Sequence, residues 1–267
     1  MSRTPTMSRR HLLAAAAVAP FASMADVSPA FAPSDGAAFV LVHGAWHGGW
    51  CWKRLAPLLR VKGHTALTPT MTGLGERSHL LTPEVNLETH IMDIVAVVEC
   101  EDLQRVVLVG HSYGGMVVTG VAARIANRLS HIVYLDAFFP EDGKALKDYA
   151  PIPPTRADGW RIPPAGTPQD FGVKNQDDIA WVARRLGDQP LRTFTQPVRA
   201  PAETIAPSKQ HFIQCTQISW FAEAAQRGQR RGSRVHDLLT AGHDAMITEP
   251  TALAKILLEG LPPNDGK

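Results

Sequence analysis

The stretch of this 267-residue chain best suited to chemistry is Gly110-His111-Ser112-Tyr113-Gly114. A serine between two glycines at this spacing is suited to nucleophilic attack. The glycines permit a turn tight enough to force Ser112 into a strained backbone conformation that leaves Oγ exposed. A helix beginning directly behind it aims unpaired amide donors at the place where an oxyanion would form. Alone, the motif also fits a glycine-rich turn with a surface serine. The flanks favour the chemical reading. Residues 106–109 are a β-branched apolar run, and residues 116–128 have helical spacing.

A strand–turn–helix unit must sit in a larger frame, and the chain repeats the alternation. Strands are predicted at residues 38–42, 65–68, 131–135, 211–215 and 234–239. Helices are predicted at residues 51–61, from an Asn86 cap to about 101, at 220–230 and at 251–258. This order predicts an α/β fold with a doubly wound, mostly parallel sheet. The glycine-rich loop at 72–77 lacks the spacing of a dinucleotide or phosphate fingerprint. Residues 140–207 are dense in proline, which suits a sheet poorly and leaves only a short helical piece near 177–186. They read as a cap inserted between two core parts, 33–139 and 208–267, with Trp160, Phe171, Trp181 and Phe194 as candidate pocket walls. The cap sequence offers these aromatics and no evident cluster of paired charges, which points to small or medium substrates with an apolar part.

Composition narrows the partners. Three arginines against one aspartate in residues 1–32 account for the formal net charge of +2, so no nucleic-acid footprint is expected. No apolar run has the length of a membrane span, so no stable membrane anchoring is expected. Oligomeric state is not legible. Cys51, Cys100 and Cys215 have neither disulfide-framework numbers nor metal-ligand spacing, and their apolar settings suggest buried thiols. At the N-terminus, Ser8-Arg9-Arg10-His11-Leu12-Leu13 leads into an alanine-rich run, and Ala30-Phe31-Ala32 has the form of a cleavage site. Residues 1–32 are therefore expected to be a signal peptide of twin-arginine type, giving a periplasmic or secreted protein. The basic run Arg227, Arg230, Arg231 and Arg234 reads as a solvated helix end.

Taken together, His43-Gly44-Ala45-Trp46-His47-Gly48-Gly49-Trp50, the Ser112 motif and Gly242-His243-Asp244 resemble the α/β-hydrolase superfamily. Within it they resemble the branch of plant methylesterases, plant hydroxynitrile lyases and EstC-type bacterial esterases. The resemblance implies an α/β-hydrolase fold and a cofactor-free, metal-free serine carboxylesterase acting on a small-molecule ester. It also implies an acyl-enzyme on Ser112, His243 as general base, and Ala45 and Tyr113 amides as oxyanion donors. The acid departs from the pattern. The plant enzymes carry an aspartate a few residues beyond the position of Cys215, where this chain has Thr216-Gln217-Ile218. Between 204 and 235 the only carboxylate is Glu223, inside a predicted helix, and Asp237 lies within the last strand. Asp136, at the end of the strand after the Ser112 helix, is the candidate. The plant lyases have threonine at the position of Gly44 and lysine at that of Asp244, which disfavours lyase chemistry here. A lyase and a low-turnover binding protein on the same scaffold remain the alternatives.

Overall fold

The computed structural model describes Met1, residues 36–201 and residues 206–259, so the signal-like segments at 8–13 and 30–32 lie outside the described residues. In chain order the elements are β1 (Ala38–Val42), α1 (Leu55–Val61), β2 (Thr65–Leu67), α2 (Leu87–Cys100), β3 (Val106–His111), α3 (Gly114–Ile125) and β4 (Leu129–Leu135). Then come β5 (Arg161–Ile162), α4 (Gln176–Ala183), β6 (Gln189–Pro190), α5 (Arg192–Thr195), β7 (Gln210–Cys215), α6 (Ala222–Arg230), β8 (Arg234–Leu238), α7 (Ala245–Thr248) and α8 (Pro250–Glu259).

Six strands form one parallel sheet in the order β2-β1-β3-β4-β7-β8. Alternate side chains enter two apolar layers. Val40, Val42, Leu108, Ile132 and Tyr134 pack in one with α2 and α3 residues. Phe39, Leu41, Val107, Val109, Val133 and Leu135 pack in the other with α1 and α8 residues. A strand covered on both faces must be apolar at every position, which is why these strands read as unbroken hydrophobic runs. The α2 start is fixed by a capping box. Asn86 Oδ1 accepts from Thr89 N–H at 3.0 Å, and Thr89 Oγ1 accepts from Asn86 N–H at 3.3 Å.

The chain runs from β1 outward to β2 and then returns to place β3 on the other side of β1. That reversal makes the carboxyl ends of β1 and β3 the switch point of the sheet, where ligand sites form. Residues 140–207 depart from their expected irregularity. β5 and β6 form a two-residue antiparallel ladder that includes Pro190, which is tolerable because so short a ladder asks for few amide donors. The turn also gathers charges that the sequence left apart. Arg156 Nε lies 2.6 Å from Asp188 Oδ2, and Arg161 Nη1 lies 3.6 Å from the same oxygen. Trp46, beyond β1, docks this segment. Its N–H donates to Gln189 Oε1 and its Nε1–H to Ile162 O, both at 3.1 Å, and its carbonyl accepts from Gly187 N–H at 2.9 Å. Cys51 and Cys215 are buried as expected, whereas Cys100, the last residue of α2, is exposed.

Three histidines meet across β4, β7 and β8. The His131 and His211 rings lie 5.4 Å apart, and His211 Nδ1 is 3.1 Å from His236 Nε2. Burial holds all three below the ordinary histidine range, His211 at about 4, with Arg234 near each and Lys209 also near His131. Because protonation is easier in the unfolded chain, this cluster adds no pH dependence above about 6.5 and destabilises the fold as pH falls from there toward 4. Thermal melts of the wild type should lose temperature across that window, and His211→Asn should flatten the loss. An unchanged slope in the variant would remove the cluster as its cause.

Candidate active site

The elbow follows from backbone crowding. Ser112, between β3 and α3, sits at φ 53°. A Cβ on Gly110 would come within 2.6 Å of Gly114 O, and one on Gly114 within 2.9 Å of both Val42 O and His43 O. Only glycine lets the turn close against the end of β1. Ser112 N–H donates to Leu135 O at 3.3 Å, and its carbonyl accepts from Gly115 and Phe138 amides at 3.0 and 3.1 Å. These bonds hold a conformation that costs about 1–3 kcal/mol in a non-glycine residue.

Asp136 stands one residue past β4, at φ 41° and fully buried. Its N–H donates to Ile213 O at 2.7 Å. Its Oδ1 accepts Cys215 N–H at 3.2 Å, and its Oδ2 accepts from His243 Nδ1 at 2.7 Å. Where the resemblance places an acid after β7, this chain supplies an amide donor to Asp136 instead. Glu223 is exposed on α6 and Asp237 lies in β8, and His243 bonds to neither.

The contact with Asp136 places the proton on His243 Nδ1, leaving Nε2 as a base. Among the described residues, neither His243 Nε2 nor Ser112 Oγ hydrogen-bonds a protein atom. Both residues face one cavity, so each is free for the other and for a ligand. Phe221 stacks on the His243 ring at 5.3 Å and His111 lies 4.4 Å from it, centroid to centroid.

Among the described residues, the Ala45 and Tyr113 amides also have no protein acceptor, and both residues line that cavity. His43 explains the orientation of the first. Its Nδ1–H donates to Gly44 O at 2.8 Å while Nε2 accepts Met71 N–H at 3.1 Å. One donor and one acceptor role require a neutral ring, in keeping with burial lowering its pKa to about 3. In a trans peptide the N–H lies opposite the carbonyl, so holding Gly44 O fixes where Ala45 N–H points. Tyr113 is anchored by its hydroxyl, 2.9 Å from His90 Nδ1.

The cavity encloses about 1170 Å³. Trp46, Phe138, Phe171, Phe194, Trp220 and Phe221 give it aromatic walls, and Asp148, Glu223 and Arg227 add charge. Of the four expected wall aromatics, Phe171 and Phe194 line it. Trp181 instead packs on Trp50 at 5.1 Å and under Arg185, and Trp160 lies under Arg161. Arg227 is not simply a solvated helix end. It is half-buried, donates from Nε to Phe139 O at 3.3 Å, and covers the Tyr149 ring at 4.9 Å. No separate role for His43, His47, His111 or Asp244 is legible from residue type and spacing, although all four lie in or beside the motifs.

Known proteins share this arrangement of elements. The chain is 40% identical over 238 residues to a carbendazim hydrolyzing esterase from a Nocardioides strain, spanning 82% of this chain and 97% of that one. It is 28% identical to salicylic acid-binding protein 2 of Nicotiana tabacum, over 84% and 97% of the two chains. The crystal structure of an Arabidopsis methylesterase superposes with a TM-score of 0.69 at 23% identity, covering 84% of this chain and 98% of that one. Residues 39–256 match the alpha/beta hydrolase family, and the chain belongs to it.

Proposed function

We propose that this enzyme is a serine carboxylesterase in which Ser112 is the nucleophile, His243 the general base and Asp136 the acid that orients it. Ser112 Oγ attacks the ester carbonyl as His243 Nε2 takes its proton. Asp136 holds Nδ1–H and stabilises the imidazolium that forms. The Ala45 and Tyr113 amides receive the oxyanion. The tetrahedral intermediate collapses, the alcohol leaves with the proton from His243, and water repeats the sequence to release the acid and free Ser112. Side chains and amides of this chain carry every step.

The observation that carries this reading is the buried 2.7 Å contact between Asp136 and His243 on the cavity that Ser112 also faces. A relative at 40% identity that is named an esterase supports the same reaction class. The aromatic walls suit small to medium esters with an apolar acyl or alcohol part. Lyase chemistry is not favoured. A Cβ on Gly44 would come within 2.9 Å of Ser112 Cβ, leaving no room for a threonine there, and Asp244 is a buried carboxylate rather than a lysine. We also propose that residues 1–32 direct export through a twin-arginine route and that residues 140–207 act as the cap. The support for export is the motif at Arg9-Arg10 and the Ala30-Phe31-Ala32 site. For the cap it is the share of the cavity wall drawn from that segment.

On p-nitrophenyl esters of increasing acyl length, the wild type should turn over steadily and Ser112→Ala should not. Equal inertness of both across the series would favour a binding protein instead. Asp136→Asn should lower kcat by about 10³- to 10⁴-fold with little change in KM, because the amide no longer selects the Nδ1–H tautomer. A near-wild-type rate would reject Asp136 as the acid. Replacing Arg9 and Arg10 by lysine should retain the protein in the cytoplasm, and unchanged export would exclude the twin-arginine route.

A further inference from the structure

Behind the site, one buried side-chain pair joins the loop after β1 to the loop after β8. His47 is 2% exposed and Asp244 is 0% exposed. His47 Nδ1 lies 2.8 Å from Ala45 O, and its Nε2 lies 3.2 Å from Asp244 Oδ2. A carbonyl and a carboxylate can only accept, so each ring nitrogen must supply a hydrogen. We infer that His47 and Asp244 form a buried ion pair that positions the two loops against each other, one presenting the Ala45 amide and the other His243. The inference rests on the esterase reading above and makes both residues positioning residues, since neither touches the reacting atoms.

The surroundings support a charged His47. Burial, the largest influence on its pKa, favours the neutral ring. The Asp244 charge, its hydrogen bond and the Ala45 carbonyl together outweigh burial and hold His47 above the ordinary histidine range. Two neighbouring rings offer no competing cation. His43 and His111 are both held well down, chiefly by burial. Cys51, which feels Asp244, is pushed up by burial and stays a thiol.

The geometry explains why such a pair is useful. Asp244 N–H donates to Phe171 O at 2.9 Å, and His111 Nε2–H donates to His243 O at 3.0 Å. With the His47 bond, the backbone at 243–244 is tied on three sides while the His243 ring stays free at Nε2. On the opposite loop, His43 holds Gly44 O and His47 holds Ala45 O, so consecutive carbonyls around the Ala45 amide are both fixed. Among the described residues Asp244 Oδ1 has no hydrogen-bond partner and lies 3.9 Å from His111 Nε2, so the carboxylate depends on His47 for its compensation.

The test is nitrogen-15 NMR of histidine-labelled wild type, joined to kinetics on a p-nitrophenyl ester. At about pH 8, where an ordinary histidine is neutral, the His47 ring should remain protonated at both nitrogens. Asp244→Asn should abolish that signature and lower kcat by about ten- to a hundredfold with KM within about twofold. The double variant His47→Gln/Asp244→Asn should be no slower than the worse single variant. A singly protonated His47 in the wild type overturns the pair, as does an Asp244→Asn enzyme with unchanged kcat. The NMR signature needs neither turnover nor a folded variant. A wild type inert toward esters would therefore overturn the esterase reading, and the ring nitrogens would still decide the pair.

Discussion

The Asp136 carboxylate is the constraint on which the rest of the site depends. An ionised group with no solvent exposure is tolerated only when its oxygens are hydrogen-bonded. Its two partners come from different elements, the Cys215 amide at the end of β7 and the His243 ring beyond β8, while the aspartate itself directly follows β4. One buried charge thus binds the carboxyl ends of neighbouring strands into a unit. A one-residue slip of β7 against β4 would carry the Cys215 amide away and turn its side chains to the opposite layer. The position of His243 is therefore a consequence of sheet register as much as of its own loop.

The same edge concentrates backbone strain. Trp46, Ser112 and Asp136, in the loops after β1, β3 and β4, have φ of 64°, 53° and 41°. None is glycine, and each such conformation costs about 1–3 kcal/mol. The strands beneath are rigid enough to impose it. Gly110 pairs with Val42 on one side and Tyr134 on the other, and Leu135 pairs with both His111 and Ile213. Neighbouring strands end almost in register, so their loops must turn within a small area. Sharp turns expose the Ser112 side chain and bury the Asp136 side chain from the same geometric cause.

What could be read from the sequence follows from how local each feature is. The central strands showed as apolar runs because both faces are covered, and the Asn86 capping box is contained in four residues. The serine elbow is local too, and Asp136 stood out because the segment after β7 contains no carboxylate except Glu223. Residues 140–207 resisted the same reading. Their folding depends on pairing Arg161–Ile162 with Gln189–Pro190 across a stretch with no periodicity, and that pairing, together with its packing, decides that Phe171 faces the cavity while Trp181 packs on Trp50. The His47–Asp244 contact spans 197 residues, and nothing in either motif specifies the other.

The histidines around the site show how hydrogen-bond partners and burial together assign protons. His43 donates to a carbonyl and accepts an amide, so it is neutral with its hydrogen on Nδ1. His90 donates Nε2–H to Thr72 O, and burial lowers its pKa to about 4, so the ring is neutral and Nδ1 accepts from the Tyr113 hydroxyl. His111 donates Nε2–H to His243 O; its bare Nδ1 is buried beside Gly44, where an added Cβ would come within 2.9 Å. His47 faces acceptors on both sides. Of these rings only His243 combines a nitrogen free of protein partners with a place on the cavity wall, while its other nitrogen is fixed as a donor by Asp136. General-base chemistry needs that combination. Among the described histidines, it singles out His243 without reference to the order of the sequence.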